Sequence, residues 1–192
     1  DQSSQEKHPL ARGEWIKLYA ALLNEEEKAN ELFSEQTAHL DALSDNASTN
    51  KTVAFFHISS SGFVVARKSG DYVSKMIELA GGKYVFENLG DPDKDTSTVT
   101  VEMETFYEIA KDADFIIYNS TIGGEIKTME EFLSLSGLLK NFKAVKTGNV
   151  WCTSENMFQE SLQLGRMIGD FNAIFTDNTE NINGVRYLHK LK

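Results

Sequence analysis

The sequence predicts an α/β fold, a doubly wound and mostly parallel sheet preceded by a helical segment. Three observations predict it. Short continuous apolar runs, TVAFFHI and DFIIYNS, have the texture of strands covered on both faces. Stretches with apolar residues at helical spacing alternate with these runs, which implies helices on both faces of one sheet. Residues 1–50 show helical periodicity alone, and the polar string SDNASTN, Ser44 to Asn50, separates them from the rest as a linker or loop. The predicted layout is a helical segment over 1–50 and an α/β lobe over 51–192.

In the helical segment, Trp15, Leu18, Tyr19, Leu22 and Leu23 form an apolar stripe on a helix that ends near Asn24. Asn24 with Glu27 fits an N-cap and its capping-box partner for a second helix. Three consecutive glutamates in its first turn suit the positive end of the helix dipole. Its stripe is Ala29, Leu32, Phe33, Gln36, Leu40 and Leu43.

From Thr52 the strand TVAFFHI is interrupted by Ser59 to Gly62 and resumed by FVVA. A helix then places Val73, Met76, Ile77 and Ala80 on one face and stops at Gly81, which suits a left-handed C-cap. A short KYVF strand and the loop ENLGDPDKDTS follow. A second round runs from TVTV through a helix carrying Phe106, Ile109 and Ala110 to the strand Asp114 to Ser120. Thr128 and Glu131 open another helix as a capping box, with Met129, Phe132, Leu133 and Leu135 along it. KAVKTGNVWCT reads as two short strands turning at Thr147 to Asn149. Asn156 with Gln159 caps a long helix striped by Leu164, Met167, Ile168 and Phe171, and the tail ends in the basic YLHKLK. With its alternating order, the lobe is Rossmann-like.

Composition narrows the function. The 192 residues, 41% hydrophobic, can bury one sizeable core. A formal charge of -10, from 19 lysines and arginines against 29 aspartates and glutamates, with no basic stripe, argues against phosphate-backbone binding and so against nucleic acid. Cys152 is the single cysteine, so no internal disulfide forms. No apolar run approaches the roughly 20 residues of a membrane span.

The motifs of catalysis are missing. Neither G-x-G-x-x-G nor G-x-x-x-x-G-K-[ST] follows a strand, as close phosphate approach would require. No G-x-S-x-G elbow occurs, and the spacing supplies no histidine base to the serines of SSSG. His8, His39, His57 and His189 lie far apart without metal-ligand spacing, and GDPDKD lacks the glycine and distal glutamate of a calcium loop. No enzyme, metal site or cofactor is therefore expected. SSSG at Ser59 to Gly62 follows a strand, where ligands of open α/β sheets bind, and is either a ligand contact or a plain solvated turn. Trp151, just before the polar TSENM, is either packing or a ligand-stacking surface.

Several stretches in order resemble one family. HPLARGEWIKLYAALLNEEEKANELF resembles the segment at and after its connecting helix, KSGDYVSKMIELAGGKYVF its helix ending in a double glycine, and METFYEIAKDADFIIYN its acidic residue, helix and strand. AVKTGNVWCTSENMFQES resembles its strand, turn, strand and final-helix entry, and YLHKLK its closing segment. The family is that of solute-binding proteins for ABC importers of iron siderophores, haem or cobalamin, in which one long helix joins two α/β lobes. The resemblance covers an interlobe helix and a carboxy-terminal lobe; the amino-terminal lobe has no counterpart in these residues.

The resemblance implies a non-catalytic transport role outside the cytoplasm, periplasmic or as a cell-surface lipoprotein. The cargo would be a ferric chelate, haem or cobalamin, and the partners an ABC permease and its ATPase. Membrane attachment would run only through a lipid anchor outside this chain. Cleft loops would fall at Ser59 to Phe63, Asn119 to Gly124 and Trp151 to Met157. Their candidate ligand contacts are Ser59, Ser60, Ser61, Phe63, Asn119, Trp151, Asn156 and Met157. Family members dock the permease through a surface glutamate on each lobe, for which Glu104 is the candidate here and Glu102 the fallback; either could also be a glutamate favoured only by the helix dipole. The competing reading is a non-catalytic interaction or regulatory domain. A receiver-type domain would need an acidic pair at the end of TVAFFHI, which is absent, although Lys146 is available.

Overall fold

The computed structural model describes residues 2–44, 48–90, 96–120, 124–177 and 184–192. Its sheet is built on β1 (Thr52–Ile58), β5 (Phe115–Tyr118) and β6 (Val150–Thr153), which run parallel side by side. The two-residue β3 (Lys83–Tyr84) is parallel to the start of β1, and β2 (Val64–Arg67) is antiparallel to its end, so both occupy one edge of β1. Antiparallel pairs close the flanks, β4 (Thr98–Val101) on β2 and β7 (Leu188–Lys190) on β6. The order is β4-β2-β1-β5-β6-β7, mostly parallel at its centre.

Helices cover both faces, and strand alternation sorts the core between them. On one face Phe56 and Tyr118, partners in the β1/β5 register, meet α4 (Met103–Ala110) and α5 (Met129–Ser134). Phe56 and Phe106 have ring centroids 4.3 Å apart, Tyr118 and Phe132 5.9 Å, and Phe106 and Phe142 5.3 Å. On the other face Phe115 packs edge-on at 5.4 Å against Phe175 of α7 (Leu164–Thr176), beside α3 (Tyr72–Leu79). Truncating any of these fully enclosed rings to alanine would cost about 3–5 kcal/mol.

Local signals explain where helices start. The Asp71 side chain accepts the Val73 N–H at the head of α3, Val73, Met76, Ile77 and Ala80 are fully buried, and Gly81 takes φ 84 just beyond its end. Thr128 and Glu131 form the expected capping box of α5, worth about 1 kcal/mol. The helical segment forms α1 (Pro9–Leu23) and α2 (Glu26–Ser44). Both pack on the lobe, and α2 lies along α7 with Ala29 and Gln36 buried. Part of the loop ENLGDPDKDTS, residues 91–95, and part of the linker, residues 45–47, lie outside the described residues.

Four expectations are corrected. Asn24 is the C-cap of α1 rather than the N-cap of α2. It sits at φ 56 and ψ 42, a left-handed conformation that asparagine tolerates, with its N–H on the Ala20 carbonyl. The α1 stripe faces outward, with Leu22 75% and Leu23 70% exposed, because the small residues Pro9, Gly13 and Ala20 take the buried side and allow close approach. KAVK is a single helical turn, α6 (Lys143–Lys146), ended by Gly148 at φ 69, so only VWCT is a strand. The helix expected from Asn156 begins at Leu164, after 3-10 turns at Glu155–Phe158 and Ser161–Gln163. Glu160, at φ -99 and ψ 63, interrupts the path, and its carboxylate is held by Arg186 at 3.1 Å and by the Tyr187 hydroxyl.

Candidate ligand-binding end of the sheet

The parallel strands β1, β5 and β6 finish at Ile58, Tyr118 and Thr153, at one end of the sheet. After β1 the chain makes a tight hairpin into β2. The Gly62 N–H donates to the Ser59 carbonyl at 2.9 Å, and the Ser59 N–H to the Phe63 carbonyl at 2.8 Å. Gly62 takes φ 84, so the turn has the form of a type I turn followed by a left-handed bulge residue. The Ser59 hydroxyl accepts the Phe63 N–H at 3.2 Å and lies 3.0 Å from the Ser61 hydroxyl. Ser60, Ser61 and Phe63 are exposed, Phe63 by 41%.

After β5, Asn119 extends the ladder by donating its N–H to the Phe56 carbonyl at 2.8 Å, and its side chain is buried. The Ser120 N–H donates to the Thr153 hydroxyl at 3.0 Å, and the Ser120 hydroxyl bonds the Thr153 carbonyl, so the ends of β5 and β6 are riveted together inside the protein. Of the predicted loop Asn119 to Gly124, residues 121–123 lie outside the described residues.

After β6, Ser154 leads into the 3-10 turn that carries Asn156 and Met157; Met157 is buried, and its N–H reaches the Ser154 carbonyl at 3.2 Å. Trp151 lies one step further back, inside β6 on the α3 and α7 face, only 5% exposed. Among the described residues its indole N–H has no hydrogen-bond partner, and Lys190 stands 5.9 Å from the ring.

The structure therefore brings Ser59, Ser60, Ser61 and Phe63 into one exposed turn. Asn119 and Met157 pack beneath the neighbouring loops, and Trp151 lies within the sheet. Glu102 and Glu104 are exposed at the start of α4, at this same end of the sheet, because β4 runs in the direction of β1. Among the described residues neither glutamate side chain has an ion-pair or hydrogen-bond partner.

The 3-10 turn after β6 also carries Phe158, which joins an aromatic and cationic cluster that no sequence motif marks. Arg67 bonds Asp71 at 3.4 Å and lies 5.3 Å from the Phe158 ring, Phe158 meets Tyr72 edge-on at 6.4 Å, and Arg12 stacks on Tyr72 at 3.7 Å. Burial pushes the Tyr72 hydroxyl up to about 12 and the Asp71 carboxyl above its ordinary range, while the two arginines oppose both shifts. His57, buried in β1 on the same face as Arg67, is held below the ordinary histidine range by burial and then by Arg67. The residues come from four separate segments, so no spacing in the sequence could have joined them. Among the described residues no group of three or more His, Cys, Asp or Glu side chains is placed to hold a metal ion.

Loops gathered beyond the carboxyl ends of parallel strands occupy the place where open α/β sheets of this class take their ligands. The family follows from comparison with known proteins: the model of the periplasmic binding protein family matches residues 2–156, and the chain belongs to that family. An uncharacterized lipoprotein of Methanocaldococcus jannaschii is 30% identical over 164 residues, covering 84% of this chain and 38% of that protein. A second from the same organism is 31% identical over 160 residues, covering 80% and 39%. The chain thus spans about two fifths of the length of these relatives.

Among solved structures, the periplasmic haem-binding protein RhuT from Roseiflexus sp. RS-1 superposes with a TM-score of 0.70 at 16% identity, over 89% of this chain and 64% of that one. The TroA-like periplasmic binding protein FepB from Veillonella parvula gives 0.69 at 14% identity, over 95% and 62%. The likeness is one of fold. No helix among the described residues is long and apolar enough to cross a membrane.

Proposed function

We propose that this chain supplies one wall of a two-lobed binding protein that holds a metal chelate (a ferric siderophore, haem or cobalamin) and delivers it to an ABC permease driven by its ATPase. The observation that carries the reading is the gathering of three strand-end loops at one end of the sheet, with exposed Ser60 and Ser61 at the first and buried Asn119 and Met157 at the bases of the others. Family membership supports it, as do fold neighbours described as a haem-binding protein and as part of an Fe3+-hydroxamate transport system. Asn156 and Trp151 belong to the same wall, Trp151 as the packed layer under the last loop. Glu104, with Glu102 beside it, meets the permease. A lipid anchor elsewhere in the protein, as the names of the relatives suggest, would keep it at the outer side of the membrane.

The test is calorimetric titration of haemin, ferrioxamine and cyanocobalamin into the longer protein that contains a second lobe. Saturable binding of one class is expected, and absence of binding by all three would overturn the reading. One lobe buries at most half of such a ligand, so the 192-residue chain should bind the same compound at least tenfold more weakly. Submicromolar affinity for the chain alone would contradict the half-cleft arrangement.

A further inference from the structure

The hairpin between β1 and β2 has two legs, and they border different neighbours. Ser59 follows β1, whose other partner is β5, so the Ser59 leg stands beside the loop that begins at Asn119. Phe63 precedes β2, whose other partner is β4. The β2/β4 register pairs Val64 with Val101, and one step further it sets Phe63 opposite Glu102. Three strands separate that position from β7 at the far edge of the sheet.

Phe63 is 41% exposed, although the strand positions after it, Val64 and Ala66, are fully buried. No ring contact or cation contact covers it among the described residues. Glu102, opposite it by register, and Glu104, two residues further along, are exposed carboxylates that have no ion-pair partner among the described residues. An exposed aromatic ring flanked by free anions matches a partner surface that offers an apolar depression bordered by arginine or lysine.

We infer that Phe63 belongs to the permease-docking surface with Glu102 and Glu104, and not to the ligand wall, so that the boundary between the two surfaces runs through the hairpin at Ser60 and Ser61. The inference rests on the transport reading above and adds an apolar anchor to its glutamate contact. The division of labour is physical. The carboxylates steer encounter and are screened by salt, whereas burial of the ring slows dissociation at any ionic strength.

The experiment separates docking from ligand binding. Docking is measured without ligand, by surface plasmon resonance of the full-length parent protein on its permease and ATPase reconstituted in nanodiscs of zwitterionic lipid, at two salt concentrations. Chelate binding is measured separately with the three compounds named above. Phe63→Ala is expected to weaken docking at least tenfold, mainly through faster dissociation, with chelate affinity changed less than twofold and Phe63→Leu restoring most of the loss. Glu102→Gln with Glu104→Gln should lower the association rate at low salt and converge with the parent at high salt. Ser60→Ala should leave docking unchanged.

Chelate affinity that falls in Phe63→Ala while docking is intact would overturn the inference, and so would no change in either assay. Because docking is read without ligand, failure of the parent to bind any chelate would sink the cargo assignment while the Phe63 result still stood. Equal thermal stability of Phe63→Ala and the parent excludes a folding defect.

Discussion

Gly165 and Gly169 stand one turn apart in α7, and alanine at the two positions should act with opposite signs. A Cβ built on Gly165 would lie 2.3 Å from the Gln36 carbonyl oxygen and 3.1 Å from its carbonyl carbon, against 3.4 Å or more for ordinary contact. The obstacle is backbone, so no side chain can rotate away, and α2 must move off α7 by about 1 Å, an overpacking that costs about 1–3 kcal/mol. The shift also breaks the bond from the Gly165 N–H to the Gln36 side-chain oxygen at 3.2 Å, worth about 1 kcal/mol.

Alanine's better helix propensity returns just under 1 kcal/mol, which leaves a net loss of about 2 kcal/mol. For a chain of this length that lowers Tm by about 4–8 °C. At Gly169 nothing lies within 4 Å of the same atom, so alanine there gains about 0.5–1 kcal/mol and raises Tm by about 2 °C. Thermal unfolding followed by far-ultraviolet circular dichroism reads both shifts, and amide exchange in α2 should rise only in Gly165→Ala. Shifts of the same sign, or an unchanged Tm for Gly165→Ala, would refute the close α2/α7 crossing.

Two further outcomes concern the partly buried Asp114 and the buried Cys152. Burial opposes the charge on Asp114, but hydrogen bonds from Lys143 at 2.7 Å and from the Thr52 N–H and hydroxyl at 2.9 Å outweigh it and hold the carboxyl below its ordinary range. A lowered carboxyl contributes stability above its unfolded value, about 3.9, and loses it as pH falls through the folded value. Asp114→Asn should thus cost about 1–2 kcal/mol at neutral pH, and urea titrations of variant and parent should converge in acid; a gap unchanged at pH 3 would refute the role. Cys152 is fully buried and burial pushes its thiol up to about 11, so Ellman's reagent should label it only in denaturant. Labelling of the native protein at the rate of a free cysteine would show that β6 is open.

The strands and the lobe's helices were readable because their signals are local: the run TVAFFHI, the Thr128 and Glu131 box, and the face of Val73, Met76 and Ile77. The misread elements have two causes, a local signal too short or ambiguous to decide and contact with a distant partner. KAVK is too short for its pattern to separate strand from helix. The helix projected from Asn156 is cut short because Glu160 is held by Arg186 and Tyr187, residues from the far end of the chain. In α1 periodicity points to the large residues as the buried stripe, but tight packing selects small ones, Gly13 and Ala20. At the candidate site the exposed serine turn was legible from its position after a strand. The burial of Trp151, Asn119 and Met157 was not, since depth below the end of a sheet depends on register, which only pairing fixes.

The hairpin at Ser59 to Phe63 limits how this end of the lobe can vary among relatives. Surface loops ordinarily accept insertions, but this turn sets the alignment of β2 on β1. One added residue that slid β2 by a single position would turn Val64 and Ala66 away from the core and bring Val65 and Arg67 into it. A one-residue change of length that shifts the register is therefore costly here, and point substitution within the turn is not. The loops after β5 and β6 lead to separate elements and carry no such register. Under the proposed binding role, new ligand shapes would be accommodated there, while the first turn keeps its register as a fixed reference for the rest.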